Sequence, residues 1–461
     1  MSRLMQLCRF IPLALALLPV NSWADTHSDI AELKARLAQL EQQINSATEN
    51  TSPKPSPAVA VPATPTGLKL GETQVGFKGY VKLDAISSQF SAGEVGRTVG
   101  RDFYVPNQIP VFGGAGATAM SNGKSRQFFD LHAKQTRFIV TTETPVGGDS
   151  ALKGHIEMDF LGSTQGDERI SNGYSPELRQ AFFTYGRWMA GQAWTTFQDL
   201  GVLPETADFV GSSDGAVFGR QPQLRYTRGP WQFALENSQT VVGGSTDNGP
   251  TSTAAPVESN DSAVPDIVAR YTHKGDFGHL SSAALVRQLR VKNPTGATNT
   301  GDSKTAYGLS VSGKIKVGQK DDIRFMLTHG DGIGRYMSLN TSNDATLNTV
   351  TGELDLISIN AGYVTYRHFW TDKLRSNLQL SMFSASNPHS ATADATKRVT
   401  SGLINLMYAV NPKLDVGVEG LHATRKVEGG AEGLGSTAFH RSLQLLSQAN
   451  PFILNGERNT A

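Results

Sequence analysis

The stretch YGLSVSGKIKV at 307–317 alternates with a period of two: Tyr307, Leu309, Val311, Ile315 and Val317 against Gly308, Ser310, Ser312, Lys314 and Lys316. Successive side chains of an extended strand point to opposite faces, so this segment has one apolar face and one wet face. The same division separates Ile323, Phe325 and Leu327 from Arg324 and Thr328. It also separates Leu152, Ile156, Met158 and Phe160 from Lys153, Glu157 and Asp159, and Ile404, Leu406, Tyr408 and Val410 from Ser401 and Asn405. An antiparallel sheet with one face in contact with an apolar medium produces this pattern. A soluble β-sandwich or β-helix also alternates, but it would carry charge on the outer face, where these strands carry Leu, Phe, Ile and Tyr.

The connections between such strands alternate in length. Seven short turns fall at 145–149, 185–187, 228–230, 273–276, 318–321, 370–372 and 411–412. Eight Gly/Ser/Thr/Asn-rich stretches fall between them, at about 91–127, 163–176, 198–215, 242–264, 292–304, 333–354, 387–398 and 428–438. Transmembrane barrels join strands by short periplasmic turns and longer extracellular loops. The rhythm therefore predicts an all-β fold, a sixteen-stranded antiparallel transmembrane barrel with both termini on the periplasmic side. Trp188, Trp231, Phe277, Phe369 and Trp370 lie near strand ends, where an interfacial aromatic girdle belongs.

Composition agrees. Charged residues are 18% of the chain, Gly numbers 47, and mean hydropathy is −0.28, the profile of strands in which only alternate residues meet lipid. Beyond the first two dozen residues no apolar run reaches the 18 or so needed for a membrane helix, so a helical membrane protein is excluded. The formal net charge of +1 offers no bulk attraction to nucleic acid, and any charge selectivity must come from local placement.

The N-terminal region divides into three parts. Arg3 and Arg9, the apolar residues 10–20 and Ser22-Trp23-Ala24 before Asp25 have the layout of a secretory signal peptide, residues 1–24. Cys8, the only cysteine, lies within it, which leaves the mature chain without a disulfide, a thiol nucleophile or a Cys-based metal site. In 25–47, Ile30, Leu33, Leu37, Leu40 and Ile44 are spaced 3, 4, 3, 4, the seam of a short helical coiled coil. So short a seam is marginal in water unless something else holds several copies together, which argues for an oligomer. Residues 48–76 begin with five prolines in 48–66 and read as an extended spacer. The barrel is expected over 77–448, with an atypical tail at 449–461. Ser442 and Gln444 against Leu443 and Leu445 offer a short closing strand.

Strand alternation turns Arg137, Arg179, Arg225 and Arg270 toward the lumen, on the second, fourth, sixth and eighth strands, and places Arg324 on the polar face of a later one. On the lipid face an arginine would cost about 2–4 kcal/mol near the midplane. In a narrow pore a row of guanidinium forks binds carboxylates in bidentate fashion and favours small anions. The third long connection carries Asp199, Glu205, Asp208 and Asp214 and no basic residue.

Other chemistry is not supported. The glycines of His329-Gly330-Asp331-Gly332-Ile333-Gly334 close a strand and precede no helix, unlike a dinucleotide site. The 10 histidines form no HxH or HxxxH pair, and Glu157 with Asp159 reads as two carboxylates in a polar lumen. No cofactor and no metal are expected. A barrel enzyme would need a Ser/His or paired-carboxylate cluster at the rim, and a structural barrel a plug domain; neither is evident.

The segments FKGYVKLD (77–84), QTRF (135–138), LRQAF (178–182), GQAWTTF (191–197), RQPQLRYT (220–227) and GDGIGRY (330–336) resemble, in this order, the DcaP-like trimeric porins of the Gram-negative outer membrane. The resemblance runs from the coiled-coil segment to about Glu428. It implies a sixteen-stranded barrel in the outer membrane, a homotrimer, a periplasmic coiled coil and passage of small anions, notably dicarboxylates. In trimeric porins the third extracellular loop commonly folds into the lumen, so the acidic loop is expected to face the arginine row and set up a transverse field. The tail departs from the family, which ends in an aromatic residue on its last strand.

Overall fold

The computed structural model describes residues 67–446, apart from 96–98, 119–121, 149, 163–170, 246–256, 260, 293–300 and 349–350. The signal segment, the seam and the tail lie outside the described residues.

The long strands are β1 (Thr73–Phe90), β2 (Arg126–His132 continuing as Arg137–Pro145), β3 (Ala151–Asp159), β4 (Glu177–Tyr185), β5 (Trp188–Trp194), β6 (Arg220–Arg228), β7 (Trp231–Glu236) and β8 (Asp266–Gly275). They continue as β9 (Gly278–Lys292), β10 (Gly301–Val317), β11 (Asp321–Asp331), β12 (Ser358–Phe369), β13 (Leu374–Ser386), β14 (Thr396–Asn411), β15 (Leu414–Val427) and β16 (Glu432–Leu446). Each pairs antiparallel with the next, and β16 pairs with β1 from Tyr80↔Leu446 to Phe90↔Gly435. Among the described residues the ladder thus passes through these sixteen strands and returns to its start. Both parts of β2 pair with β1, at Asp84↔His132 and Tyr80↔Arg137, so β2 is one interrupted strand. Gly79 faces the interruption with φ +145°, where a Cβ would lie 2.0 Å from the Arg137 carbonyl oxygen.

The burial pattern is inverted relative to a soluble sheet. On β13 and β14, Leu380 is 59% exposed and Ile404 61%, while Asn377, Gln379 and Asn405 are buried. The outward residues form the apolar band that lipid covers, and the inward residues are the polar ones. Near the short turns the outer surface carries the aromatic pairs Trp188–Tyr226 and Trp231–Tyr271, each with ring centroids 4.8 Å apart.

Three features differ from the sequence reading. First, a short strand, Gly67–Leu70, pairs with Thr73–Gly76, so strand structure begins inside the stretch read as spacer, and β16 is far longer than the closing strand expected at 442–445. Second, the long connections at 242–264 and 333–354 hold a separate four-stranded sheet built from Thr240–Ser245, Val257–Ser259, Ala345–Asn348 and Leu354–Leu356. It packs Val242, Leu347 and Leu354 against Leu289, Val291 and Ala306. Third, the lumen face is not wet throughout. Leu285, Met326, Ile359, Tyr363, Phe383 and Val399 point inward and form an apolar core with loop residues Phe197, Val202 and Val217. Inward apolar positions occur where a loop covers the wall and removes it from water.

Candidate pore constriction

The segment between β5 and β6, residues 195–219, closes at its base by a hydrogen bond from the Thr195 N–H to the Gly219 carbonyl, 2.9 Å. Glu236 on β7 holds that base. It accepts from the Thr195 hydroxyl at 2.7 Å, from the Thr196 N–H at 2.6 Å and from the Gln221 side-chain amide. From there the loop runs along the inner wall. Arg270 on β8 donates to the Gln198 carbonyl, Tyr363 on β12 to the Val202 carbonyl at 3.0 Å, Arg324 on β11 to the Leu203 carbonyl, and Lys82 on β1 to the Ala207 carbonyl at 2.6 Å. Backbone meets backbone at Gly215, where a Cβ would lie 2.2 Å from the Gly362 carbonyl oxygen of β12. The loop therefore leaves the wall between β5 and β6 and is fastened to strands from β8 round to β1.

The four acidic side chains of the loop are the fasteners. Asp199 accepts from the His279 imidazole at 2.8 Å and the Ser312 hydroxyl at 2.9 Å. Glu205 takes the Arg375 guanidinium, with both carboxylate oxygens 2.9 Å from its Nε. Asp208 accepts from the backbone N–H of Tyr104 at 3.0 Å and of Gly211 at 2.9 Å. Asp214 accepts from the hydroxyls of Tyr104 at 3.1 Å and Ser401 at 2.5 Å. Burial pushes the Asp214 carboxyl above its ordinary value, the hydroxyl donors offsetting only part of that. Burial acts the same way on Asp199, but the His279 hydrogen bond and charge, the Arg270 charge and the Ser312 hydroxyl outweigh it and hold this carboxyl below its ordinary value. The acidic loop, expected to face the arginine row, spends its carboxylates on these partners. Asp199 and Glu205 bond the wall, Asp214 bonds Ser401 of the wall and Tyr104 of the first long connection, and Asp208 bonds backbone N–H groups of Tyr104 and of its own loop, charged hydrogen bonds that hold a loop inside a barrel.

The arginines named from the sequence fall into two groups. Arg137 lies 2.9 Å from Asp159, and Arg179 lies 2.6 Å from Glu157 and 2.9 Å from Asp159. Glu157 and Asp159 are therefore ion-pair partners of these arginines and not solitary lumen carboxylates. Arg324 is likewise paired, 2.6 Å from Asp322, which also takes Arg367 at 2.5 Å. Arg225 and Arg270 differ. Arg225 donates to the Thr196 hydroxyl at 2.8 Å, the Trp194 carbonyl at 2.5 Å and the Gln223 side-chain oxygen at 2.9 Å. Arg270 donates to the Gln198 carbonyl and the Gln232 side-chain oxygen. Neither forms an ion pair among the described residues, and both are half-buried. The two nearby carboxylates hydrogen-bond elsewhere, Glu236 to neutral donors at the loop base and Asp199 to His279 and Ser312, and they act on these arginines only through their charge.

Sequence reasoning missed Arg367 and Arg375, and with them a second inward loop. The first long connection sends Tyr104 and Ile109 into a core with Leu403 and Leu421, and Tyr104 bonds Asp208 and Asp214. Arg375 was legible on the polar face Arg375-Asn377-Gln379-Ser381 of β13. The inward course of 104–109 had no signature beyond the length of the connection that carries it.

A closed antiparallel ladder with an apolar outer face, a charged inner face and a loop bound inside it defines an outer-membrane β-barrel channel. The family profile described as DcaP outer membrane protein matches residues 73–439, and the chain belongs to that family. Among solved structures, the outer membrane channel DcaP of Acinetobacter baumannii is 23% identical, with a TM-score of 0.64 and coverage of 83% of this chain and 99% of that one, a shared fold. The anion-selective porin from Comamonas acidovorans matches at 10% identity and a TM-score of 0.46, covering 81% of this chain and all of that one, 100%. OmpT of Vibrio cholerae matches at 11% and 0.46, covering 82% and 99%. No curated protein sequence matches the chain.

Proposed function

We propose that the protein is a diffusion channel of the outer membrane that favours small anions, dicarboxylates among them, and carries out no catalysis. The observation that supports this most is the pair Arg225 and Arg270. Their guanidinium groups, on β6 and β8 on either side of β7, are hydrogen-bonded to neutral partners and make no direct ion pair, Glu236 and Asp199 acting on them only at longer range. Two such groups suit a solute with two carboxylates, met through the N–H groups that their protein partners leave free. In the narrowed space beside the loop their field acts on every passing ion.

The test is the double variant Arg225→Gln/Arg270→Gln, which preserves polarity and removes two charges. In planar bilayers with a low-salt gradient its reversal potential is expected to move toward cation selectivity, with weaker current block by succinate. The shift should shrink at high salt, since the Debye length falls from about 10 Å at 0.1 M to about 3 Å at 1 M. A reversal potential equal to the parent's would refute the reading.

We further propose that the channel is a homotrimer exported by the segment 1–24, with the seam Ile30, Leu33, Leu37, Leu40 and Ile44 forming a periplasmic coiled coil. Seam helices too short to associate alone become stable when barrels bring three together. Cross-linking of the detergent-solubilised protein should trap trimers, and a monomer throughout would end this proposal.

A further inference from the structure

The lumen arginines differ in what holds them. Arg137, Arg179, Arg324, Arg367 and Arg375 are all held by carboxylates. Arg225 and Arg270 are held by side-chain amides instead. The Gln223 oxygen accepts from Arg225 Nε at 3.1 Å and Nη2 at 2.9 Å, while its amide nitrogen donates to the Trp194 carbonyl at 2.8 Å. The Gln232 oxygen accepts from Arg270 Nη2. Gln232 lies directly opposite Arg270 across the β7–β8 ladder, and opposite Thr227 across β6–β7. A carboxamide oxygen orients a guanidinium through the same acceptor geometry as a carboxylate but adds no negative charge.

We propose that Gln232, and Gln223 in parallel, are selectivity-determining residues that hold the anion-attracting arginines in place without neutralising them. This rests on the reading of Arg225 and Arg270 given above. Of the two, Gln232 gives the cleaner test. Its amide nitrogen makes one long contact, 3.5 Å to the Thr227 hydroxyl, whereas Gln223 also donates to the loop base and would lose those bonds as a glutamate.

Gln232→Glu changes an amide to a carboxylate of the same shape, and Gln232→Met removes the acceptor without adding charge. The anion-over-cation permeability ratio, from reversal potentials at low salt, is expected to fall by more than about twofold in Gln232→Glu as the new carboxylate cancels the Arg270 field. Gln232→Met, which frees Arg270 but adds no negative charge, should lower the ratio clearly less than Gln232→Glu does. Should Gln232→Glu not assemble, Gln232→Cys, labelled after assembly with a sulfonate-bearing or a neutral thiol reagent, makes the same comparison, and only the sulfonate should lower the ratio. An unchanged ratio in Gln232→Glu or the sulfonate adduct, with Arg225→Gln/Arg270→Gln shifted, overturns this inference and leaves the function standing. Equal shifts in Gln232→Glu and Gln232→Met also overturn it, since the residue would then act through position alone. If the double arginine variant keeps the parent's ratio as well, both fail together.

Discussion

Replacing Arg287 by methionine should destabilise the barrel by about 3–5 kcal/mol, the range for breaking a buried ion pair from one side. Arg287, on β9, is fully enclosed and lies 3.2 Å from Asp266 of β8 and 2.8 Å from Asp344 of the connection after β11. It also donates to the Gly332 carbonyl at 3.1 Å. Asp344 in turn accepts from the Arg335 N–H at 2.9 Å and the Val241 N–H at 2.9 Å, so one guanidinium ties the wall to the small four-stranded sheet. Its removal leaves two carboxylates in a site closed to water. The loss should appear as a lower temperature for the heat-induced mobility shift on electrophoresis. Converting Asp266 and Asp344 to Asn in the same chain should restore much of it, because the uncompensated charge is then gone. A single variant as stable as the parent would show that water reaches the pair.

Arg375→Leu should release the inward loop between β5 and β6. Arg375 is the charged fastener of Glu205 at the far wall, and it also lies 3.2 Å from Asp415 on β15. Without it two buried carboxylates face each other, and the Glu205 carboxylate keeps only a contact of 3.8 Å to Arg367, while its backbone carbonyl still accepts from the Asn405 amide at 2.9 Å. The expected results are a loss of about 3–5 kcal/mol of stability and, in single-channel recordings, a larger and more variable conductance as the loop leaves the wall. Glu205→Gln in the same chain should recover part of the stability but not the parent's conductance. A parental conductance in Arg375→Leu would mean that the other bonds, such as those from Lys82 and Tyr363, suffice to hold the loop.

The inner and outer faces of the strands and the positions of the turns were legible residue by residue. Ile404 and Leu406 face outward and Asn405 inward because a strand's period of two is a local property of the backbone, written wherever one face meets lipid. The expected orientation of Arg137, Arg179, Arg225, Arg270 and Arg324 followed from the same rule. Their partners did not. Whether an arginine meets a carboxylate or an amide depends on register, bulges and the stagger between strands, and no local pattern records these. Arg137 and Arg179 share Glu157 and Asp159 because β2, β3 and β4 are offset so as to bring them together.

Glu205 and Arg375 are separated by 170 residues, and only the path of the loop inside the barrel makes them a pair. Sequence alone therefore determined that this chain alternates, turns and places charge inside a barrel. The tertiary structure decided which of those charges form ion pairs and which do not, because pairing requires contact within a few ångströms between strands and loops that are distant in the chain.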